Sequence, residues 1–456
     1  MHRFDESMDA LGDAVLEYAR HRLKLEPVPL DGPKSAAELT AAVGRTITPD
    51  GLGGLAALDL FAEHLAPACI STDNPQYLAF IPCAPTEAST LFDLVVGASC
   101  IYGGTWMEGA GAVFAENQAL RWLSDLAGLP AEAGGVFLPG GTVGNLSALV
   151  AARHRARTRR TGQPPRSWAV VGTDHAHSSV VSACDVMDVD FIGVPVAETQ
   201  RLTGDAVAAT LDAVDDDRVF AVVATAGTTN FGIVDDLDSI ARVCRERGVW
   251  LHVDAAYGGA GLCAPSVRHL FTGIGHADSL VIDPHKWLFA PFDCCALIYR
   301  DAAEGRAAHT QRAGYLDVVA AHADGAPGEV NPSDYGVGLT RRVRGLPFWF
   351  SLATYGTRAY TDAVEQTLAV ARLAAQDVHR RPYLELLCEP DLSVVVFRRL
   401  GWSAQQYHEW SRHLLDDGVA LVVPTTTHAG EPATRIAVVN PLTTEADIAK
   451  ILDTLA

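Results

Sequence analysis

Positive charge is scarce in this chain of 456 residues: 35 lysines and arginines stand against 55 aspartates and glutamates, a formal net charge of −20. Such a surface repels phosphate backbones and anionic headgroups, so neither nucleic acid nor a membrane is expected as a partner. Long hydrophobic runs are absent as well. No uncharged stretch is long enough to cross a bilayer, and Met1-His2-Arg3-Phe4-Asp5-Glu6 lacks the apolar run that follows the basic start of a signal peptide. A cytoplasmic location is the expectation. The nine cysteines are odd in number and include no C-x-x-C pair, which indicates neither a disulfide framework nor a zinc ribbon. Metal-like spacing occurs only in Asp174-His175-Ala176-His177, an H-x-H pair with no third ligand nearby, so no metal is expected. Internal repeats, coiled-coil heptads and low-complexity tracts are also missing.

What is present is apolar and periodic. With 48% hydrophobic and 20% charged residues, the chain can bury a large core, and its length suggests two or three domains. Residues 1–75 alternate helix-like apolar spacing (Met8, Leu11, Val15, Tyr18) with proline- and glycine-containing stretches, and read as an N-terminal helical arm. Residues 76–358 form the large domain. Within it, short apolar runs at 135–138, 168–171, 191–194, 219–224, 249–253 and 279–282 alternate with helical patterns, which predicts a mainly parallel sheet in an α/β fold. The stretch 301–338, rich in alanine, glycine and histidine and without an apolar period, is expected to be a long mobile loop. A helical pattern over 345–379 leads into a small α+β domain, 359–456, with strands expected at 392–397, 419–423 and 434–439.

Junctions after the apolar runs carry residues suited to chemistry. Lys286, in Ile282-Asp283-Pro284-His285-Lys286-Trp287, lies in an apolar stretch where desolvation favours a neutral amine, a nucleophile toward an aldehyde. Asp254 ends the run 249–253, where a carboxylate is costly to bury without a partner. A protonated pyridine nitrogen is one such partner, and a helix N-cap is an equally good reading. Gly140-Gly141-Thr142 joins a strand to a helix and would let backbone approach a phosphate, although a Gly-Gly pair alone marks only a turn. His177 could stack flat on a ring or be an ordinary structural histidine. Thr228 and Thr229 could offer hydroxyls to a ligand or cap the backbone.

In order, Gly140-Gly141-Thr142, Asp174-His175-Ala176-His177-Ser178-Ser179, Gly227-Thr228-Thr229, His252-Val253-Asp254-Ala255-Ala256-Tyr257 and Asp283-Pro284-His285-Lys286-Trp287-Leu288 resemble the motifs of the group II pyridoxal-5′-phosphate (PLP)-dependent decarboxylases. That family includes the aromatic L-amino-acid, glutamate, histidine and cysteine-sulfinate decarboxylases. The resemblance runs from Asn74-Pro75-Gln76-Tyr77 to Arg435 and Asn440-Pro441-Leu442-Thr443-Thr444. It implies the fold type I architecture: a large cofactor-binding domain, a small C-terminal domain and an N-terminal arm, assembled as a homodimer with shared active sites. By the same resemblance Lys286 forms the Schiff base with PLP, Asp254 partners the pyridine nitrogen, His177 stacks on the ring and Ala256 lies under its other face. Gly141, Thr142 and His285 take phosphate-proximal positions, Thr228 joins the cofactor contacts, and Asp283 stands where some members carry asparagine. Phe80, Pro82, Cys83 and Trp106 are implied to line the substrate pocket.

The implied reaction is loss of an L-amino acid's α-carboxylate as carbon dioxide with release of the amine, the side chain expected to be aromatic or apolar. In aromatic amino-acid decarboxylases a tyrosine on the mobile loop protonates the product carbon. Counting back without gaps from Arg341-Arg342-Val343-Arg344, this chain holds Pro332 there, and Tyr335 requires a gap of three residues. Tyr335 is the candidate acid, although an ordinary loop or helix-start residue packed near Phe348 is the more favoured reading of it; His177 or water are the alternatives, and failure of that step would divert the reaction to an aldehyde.

Overall fold

The computed structural model describes all residues except 1, 3, 197–199, 215, 315–328 and 428. Its large domain is built on seven strands: β1 (Gly134–Leu138), β2 (Ala169–Gly172), β3 (Asp190–Gly193), β4 (Val219–Thr225), β5 (Trp250–Asp254), β6 (Ser279–Ile282) and β7 (Cys295–Tyr299), in the spatial order β1-β7-β6-β5-β4-β2-β3. β7 runs antiparallel to β1 and β6, and every other pair is parallel. β4, Val-Phe-Ala-Val-Val-Ala-Thr, is buried at every position and so cannot alternate polar with apolar residues. Val222 and Ala224 with Leu251 and Val253 join the core on one face of the sheet. Phe220, Val223 and Trp250 join the core on the other.

The directions of the strands gather the chemistry at one edge. β5 closes on Asp254, β6 leads directly into Asp283–Lys286, β2 into His177, β1 into Gly140 and β4 into Thr228. These are the carboxyl ends of parallel strands, where open α/β sheets place their ligands.

The helix Leu346–Arg380 is interrupted at Gly356, whose φ of 74° no helix accommodates. Beyond it the small domain forms an antiparallel sheet of β8 (Leu384–Leu386), β9 (Val394–Arg399), β10 (Val423–Thr426) and β11 (Pro432–Ala437), in the order β10-β11-β9-β8. Val395 and Phe397 of β9 pack with Val370, Ala374 and Val378 of that helix and with Tyr407, Trp410, Ile448 and Ile451. The strand expected at 419–423 begins only at Val423, because Leu421 is taken by the N-terminal segment: its N–H donates to the Gln76 carbonyl at 3.0 Å and its carbonyl accepts from Leu78 at 2.9 Å.

The stretch 301–338 is not the single structureless loop that its composition suggests. Ala302–His309 is a helix, anchored by the His309 imidazole on the Ser147 carbonyl at 3.0 Å, and Pro332–Asp334 is a helical turn. The centre of that stretch, 315–328, lies outside the described residues. The N-terminal helices Glu6–Leu23, Ala36–Val43 and Gly54–Leu60 bury none of their residues in this chain. Among the described residues no helix is long and apolar enough to cross a membrane.

Candidate active site

The chain has only four lysines, and Lys24, Lys34 and Lys450 are exposed. Lys286 differs from them: a tight turn, in which its N–H donates to the Asp283 carbonyl at 2.9 Å, holds it against the end of β6. Its Nζ lies 3.0 Å from Asp283 Oδ2. Burial pulls the Lys286 amine down, but the carboxylates of Asp283 and Asp254 outweigh it and raise the group above its usual value. The neutral resting amine expected from desolvation is therefore corrected: without cofactor, Lys286 is an ammonium paired with Asp283. Burial likewise pushes Asp283 up, and Lys286 and His285 overcome it, holding the carboxyl below its ordinary range.

Asp254 receives two N–H donors, Asn145 Nδ2 on Oδ2 at 2.8 Å and the Ala256 backbone on Oδ1 at 3.1 Å. Asn145 extends the contact in two directions. Its Oδ1 faces His252 Nε2 at 2.9 Å, and its Nδ2 also reaches Ser179 Oγ at 2.9 Å. Ser179 Oγ in turn lies 2.8 Å from Nδ1 of His177, the N-cap of the helix Ser178–Met187. On the far side His252 Nδ1 meets Ser279 Oγ at 2.8 Å, and that oxygen accepts from Trp250 Nε1 at 2.8 Å. Burial pushes the His252 imidazole down to about 4 against the pull of Asp254, so the ring is neutral near pH 7. The exposed His177 ring and the buried Asp254 thus hang on one amide.

At the other end of the site the helix Gly141–Arg159 starts without a side-chain cap, leaving backbone N–H groups and the exposed Thr142 open to an anion. A Cβ on Gly141 would sit 3.1 Å from Asp283 Oδ2 and 3.4 Å from the Ala256 methyl, so glycine keeps this cradle clear. The Gly141 N–H reaches Asp283 Oδ2 at 3.3 Å. His285 is fixed by its Nδ1, 2.7 Å from the Cys294 carbonyl. Thr228 turns its Oγ1 to the Ile233 N–H at 3.1 Å, so that oxygen is already engaged in the turn. An amine, a buried carboxylate, a flat imidazole and an open helix N-terminus are the groups that a phosphorylated pyridine aldehyde requires, and the arrangement fits pyridoxal phosphate. The residues that would hold it are Lys286 toward the aldehyde, Asp254 toward the ring nitrogen, His177 and Ala256 toward the ring, and Gly141 and Thr142 toward the phosphate.

The pocket residues divide. Phe80 is 58% exposed, and its left-handed backbone (φ 51°) is pinned by Arg435, which donates to its carbonyl at 2.9 Å. Phe292 is 54% exposed and its ring lies 5.2 Å from that of His285. Trp106 is half-buried, its N–H on Asn331 Oδ1 at 3.0 Å. Pro82 is buried, and Cys83 is not a pocket wall: its thiol is buried and donates to the Ala290 carbonyl at 3.0 Å. Tyr335 also needs correction. It is 3% exposed, packed in the core with Val136, Leu138 and Tyr299, and its carbonyl accepts the Tyr299 hydroxyl at 3.0 Å. Burial pushes its phenol up to about 12. A side chain so enclosed is a packing residue rather than an acid carried to substrate. Asn145, Ser179, His252 and Arg435 were not singled out as site residues; the signal was a polar side chain inside an otherwise apolar strand or helix face.

Residues 57–400 match the pyridoxal-dependent decarboxylase conserved domain. The chain is 28% identical to the aromatic-L-amino-acid decarboxylase of Bacillus atrophaeus, across 98% of this chain and 94% of that protein. It is 31% identical to the L-2,4-diaminobutyrate decarboxylase of Rhizobium meliloti (strain 1021), across 89% of this chain and 82% of the other. Among solved structures, Oryza sativa TDC with PLP and tryptamine superposes with a TM-score of 0.87 at 25% identity, covering 98% of this chain and 96% of that one. The site built on Lys286 is thus met by a family match across most of the large domain, and the chain belongs to the pyridoxal-dependent decarboxylases, carboxy-lyases of fold type I with pyridoxal phosphate as cofactor.

Proposed function

We propose that this enzyme decarboxylates an L-amino acid with an aromatic or other large apolar side chain and releases the amine. The observation that carries the substrate class is the exposed ring of Phe292 beside His285, with the exposed Phe80 beside Arg435 as the second wall that the family resemblance implies, together offering apolar surface where a substrate side chain would enter. The aromatic-L-amino-acid decarboxylase that matches over 98% of the chain supports the same class. Pyridoxal phosphate supplies, when bound, the sink for the electron pair that the departing carboxylate leaves behind.

The rest falls to this chain's own groups. Asp254 gives the ring nitrogen its counter-charge. Lys286 must shed the proton that Asp283 now stabilises before it can act as a nucleophile, and Asp283 is the adjacent group able to balance that change. His177, open to solvent on one face, is the proton source at the product carbon, a role Tyr335 cannot fill from the core. The molecule acts in the cytoplasm, where its nine unpaired cysteines stay reduced. It acts as a homodimer, because the exposed apolar faces of its arm and of the helices Glu87–Ser99 and Trp106–Leu126 need a partner.

The test is direct. A panel of twenty amino acids assayed for carbon dioxide and amine should single out aromatic or large apolar substrates, and a preference for an acidic or diamino substrate would overturn the class. Lys286→Ala should abolish both the yellow chromophore and turnover, having no amine to condense with the aldehyde. A chromophore that survives would move the Schiff base to another lysine.

A further inference from the structure

The hydrogen bonds around Asn145 have only one consistent direction. The Asp254 carboxylate can only accept, so it takes an Asn145 amide hydrogen and turns Oδ1 toward His252 Nε2, which leaves Nδ1 of the neutral ring to take the hydrogen of Ser279 Oγ, itself accepting from Trp250 Nε1. His252 Nε2 must then carry the proton that reaches Asn145 Oδ1. Turning the Asn145 amide over would aim its oxygen at the Asp254 carboxylate and its NH2 at an imidazole N–H, so the carbonyl stays on His252 and both amide hydrogens are spent, one on Asp254 Oδ2 and one on Ser179 Oγ. His177 Nδ1 receives the Ser179 backbone N–H at 3.2 Å and so carries no proton, and Ser179 Oγ, which accepts from Asn145, gives it its own hydrogen. Every link from Trp250 to Ser179 is buried, and only the last residue, His177, opens to solvent.

We propose that Asn145, Ser179, His252 and Ser279 are positioning residues of one directed hydrogen-bond chain that couples Asp254 to His177 and obliges His177 to meet the cofactor with its Nε2–H, never its Nδ1. The proposal rests on the reading of Asp254 and His177 as the groups at the ring nitrogen and the ring face. The neutrality of His252, held down by burial, supports the direction, since a second proton on Nδ1 would leave the Ser279 hydrogen without an acceptor. Both groups are set by the same amide: a shift of Asn145 that released Asp254 would also release Ser179 Oγ and loosen its hold on the His177 ring. Asp254 and His177 are therefore tuned together, and the proton available over the substrate is fixed at one atom, whose partner nitrogen is permanently occupied.

The experiment reads histidine 15N resonances of the full chain, with and without pyridoxal phosphate, the His177 signals being identified by their loss in His177→Asn. Wild type should show His177 with Nε2 protonated and Nδ1 bare. Ser179→Ala removes the hydroxyl donor but keeps the backbone N–H on Nδ1, so it should shift the His177 Nδ1 resonance toward that of a singly bonded nitrogen and lower kcat about tenfold, the cost of one hydrogen bond of this kind. KM and cofactor affinity should stay within about twofold, because Asp254 keeps both of its donors. Ser179→Thr, which retains the hydroxyl, should restore the wild-type spectrum and kcat. Ser279→Ala, remote from the cofactor, should leave the His252 proton on Nε2, shift the His252 Nδ1 resonance as that nitrogen loses its hydroxyl donor, and weaken cofactor binding through Asn145. A protonated Nδ1 on His177 in wild type, or a His177 spectrum that Ser179→Ala leaves untouched, would overturn the chain. Those spectra do not depend on which lysine binds the cofactor, so a chromophore retained in Lys286→Ala would remove the site reading while leaving the tautomer result to be judged alone.

Discussion

Two carboxylates set the resting state of Lys286, and one of them is a residue that could as well have been neutral. Asp283 lies 3.0 Å from Nζ and 3.3 Å from the Gly141 N–H, so it competes with the cofactor twice, for the amine and for the anion-binding helix start. Asp283→Asn removes a negative charge beside the phosphate and frees the lysine. The expected outcome is pyridoxal phosphate bound about tenfold more tightly in equilibrium dialysis, roughly 1.4 kcal/mol; weaker binding would show the carboxylate serving the cofactor. Tyr335→Phe should leave the amine-to-aldehyde product ratio unchanged, since the phenol is enclosed by Leu138 and Tyr299. A rise in aldehyde would restore it as the acid. Lys286 was singled out in the sequence by its apolar stretch, whereas Asp254 and His177 had equally good structural readings and took their roles only from the ordered motifs that resemble the decarboxylase family. The protonation of Lys286 was not legible, because it depends on which carboxylates the turn brings within reach, and neither was the enclosure of Tyr335, which depends on the fold of residues beyond it.

Strand β5 shows what a single element must reconcile, a fully buried run that nonetheless carries His252 and Asp254. The imidazole titrates at about 4 in the folded chain against an ordinary value of 6.5. Between those values the unfolded chain takes up a proton that the folded one refuses, so stability is intact at pH 7 and is lost as pH falls from 6.5 toward 4. The loss from this group is about 3 kcal/mol. Urea unfolding of wild type and His252→Gln at pH 7 and pH 4 isolates it: wild type should lose that much more than the variant, and parallel losses would show that the burial is relieved by local opening. The central parallel strands were legible element by element, because buried runs between helical patterns have few other uses. β7 was not separated from the lysine segment: its Cys-Ala-Leu-Ile-Tyr follows the active-site turn at once, and only pairing reveals that it reverses direction between β1 and β6. The helix Ala302–His309 was missed because it buries little more than Gly305 and His309, too few positions to make an apolar period.

At the scale of the molecule, surface is left over. The chain exposes 21096 Å², whereas a compact monomer of 48.5 kDa should expose roughly 16,600 Å². An excess of several thousand Å² is what an obligate dimer buries. Its location is specific: Leu91, Leu94 and Val95 form one exposed stripe on the helix Glu87–Ser99, Met107 and Phe114 another on Trp106–Leu126, and Met8, Val15, Leu16, Leu55 and Phe61 line an arm whose helices bury nothing of their own. Helices of 7 and 8 residues such as Gly54–Leu60 and Ala36–Val43 do not persist in water without packing, and the proposed second copy would supply it. Phe80 and Phe292 are exposed as well, and in the proposed reading they would put the substrate entrance among the surfaces a partner covers. Leu94→Arg combined with Val95→Glu should therefore shift sedimentation from twice 48.5 kDa to the single-chain mass. Turnover should fall in parallel, because an entrance left open to water no longer holds an apolar side chain. A variant that sediments as a monomer and keeps full turnover would separate assembly from catalysis and confine the whole active site to one chain.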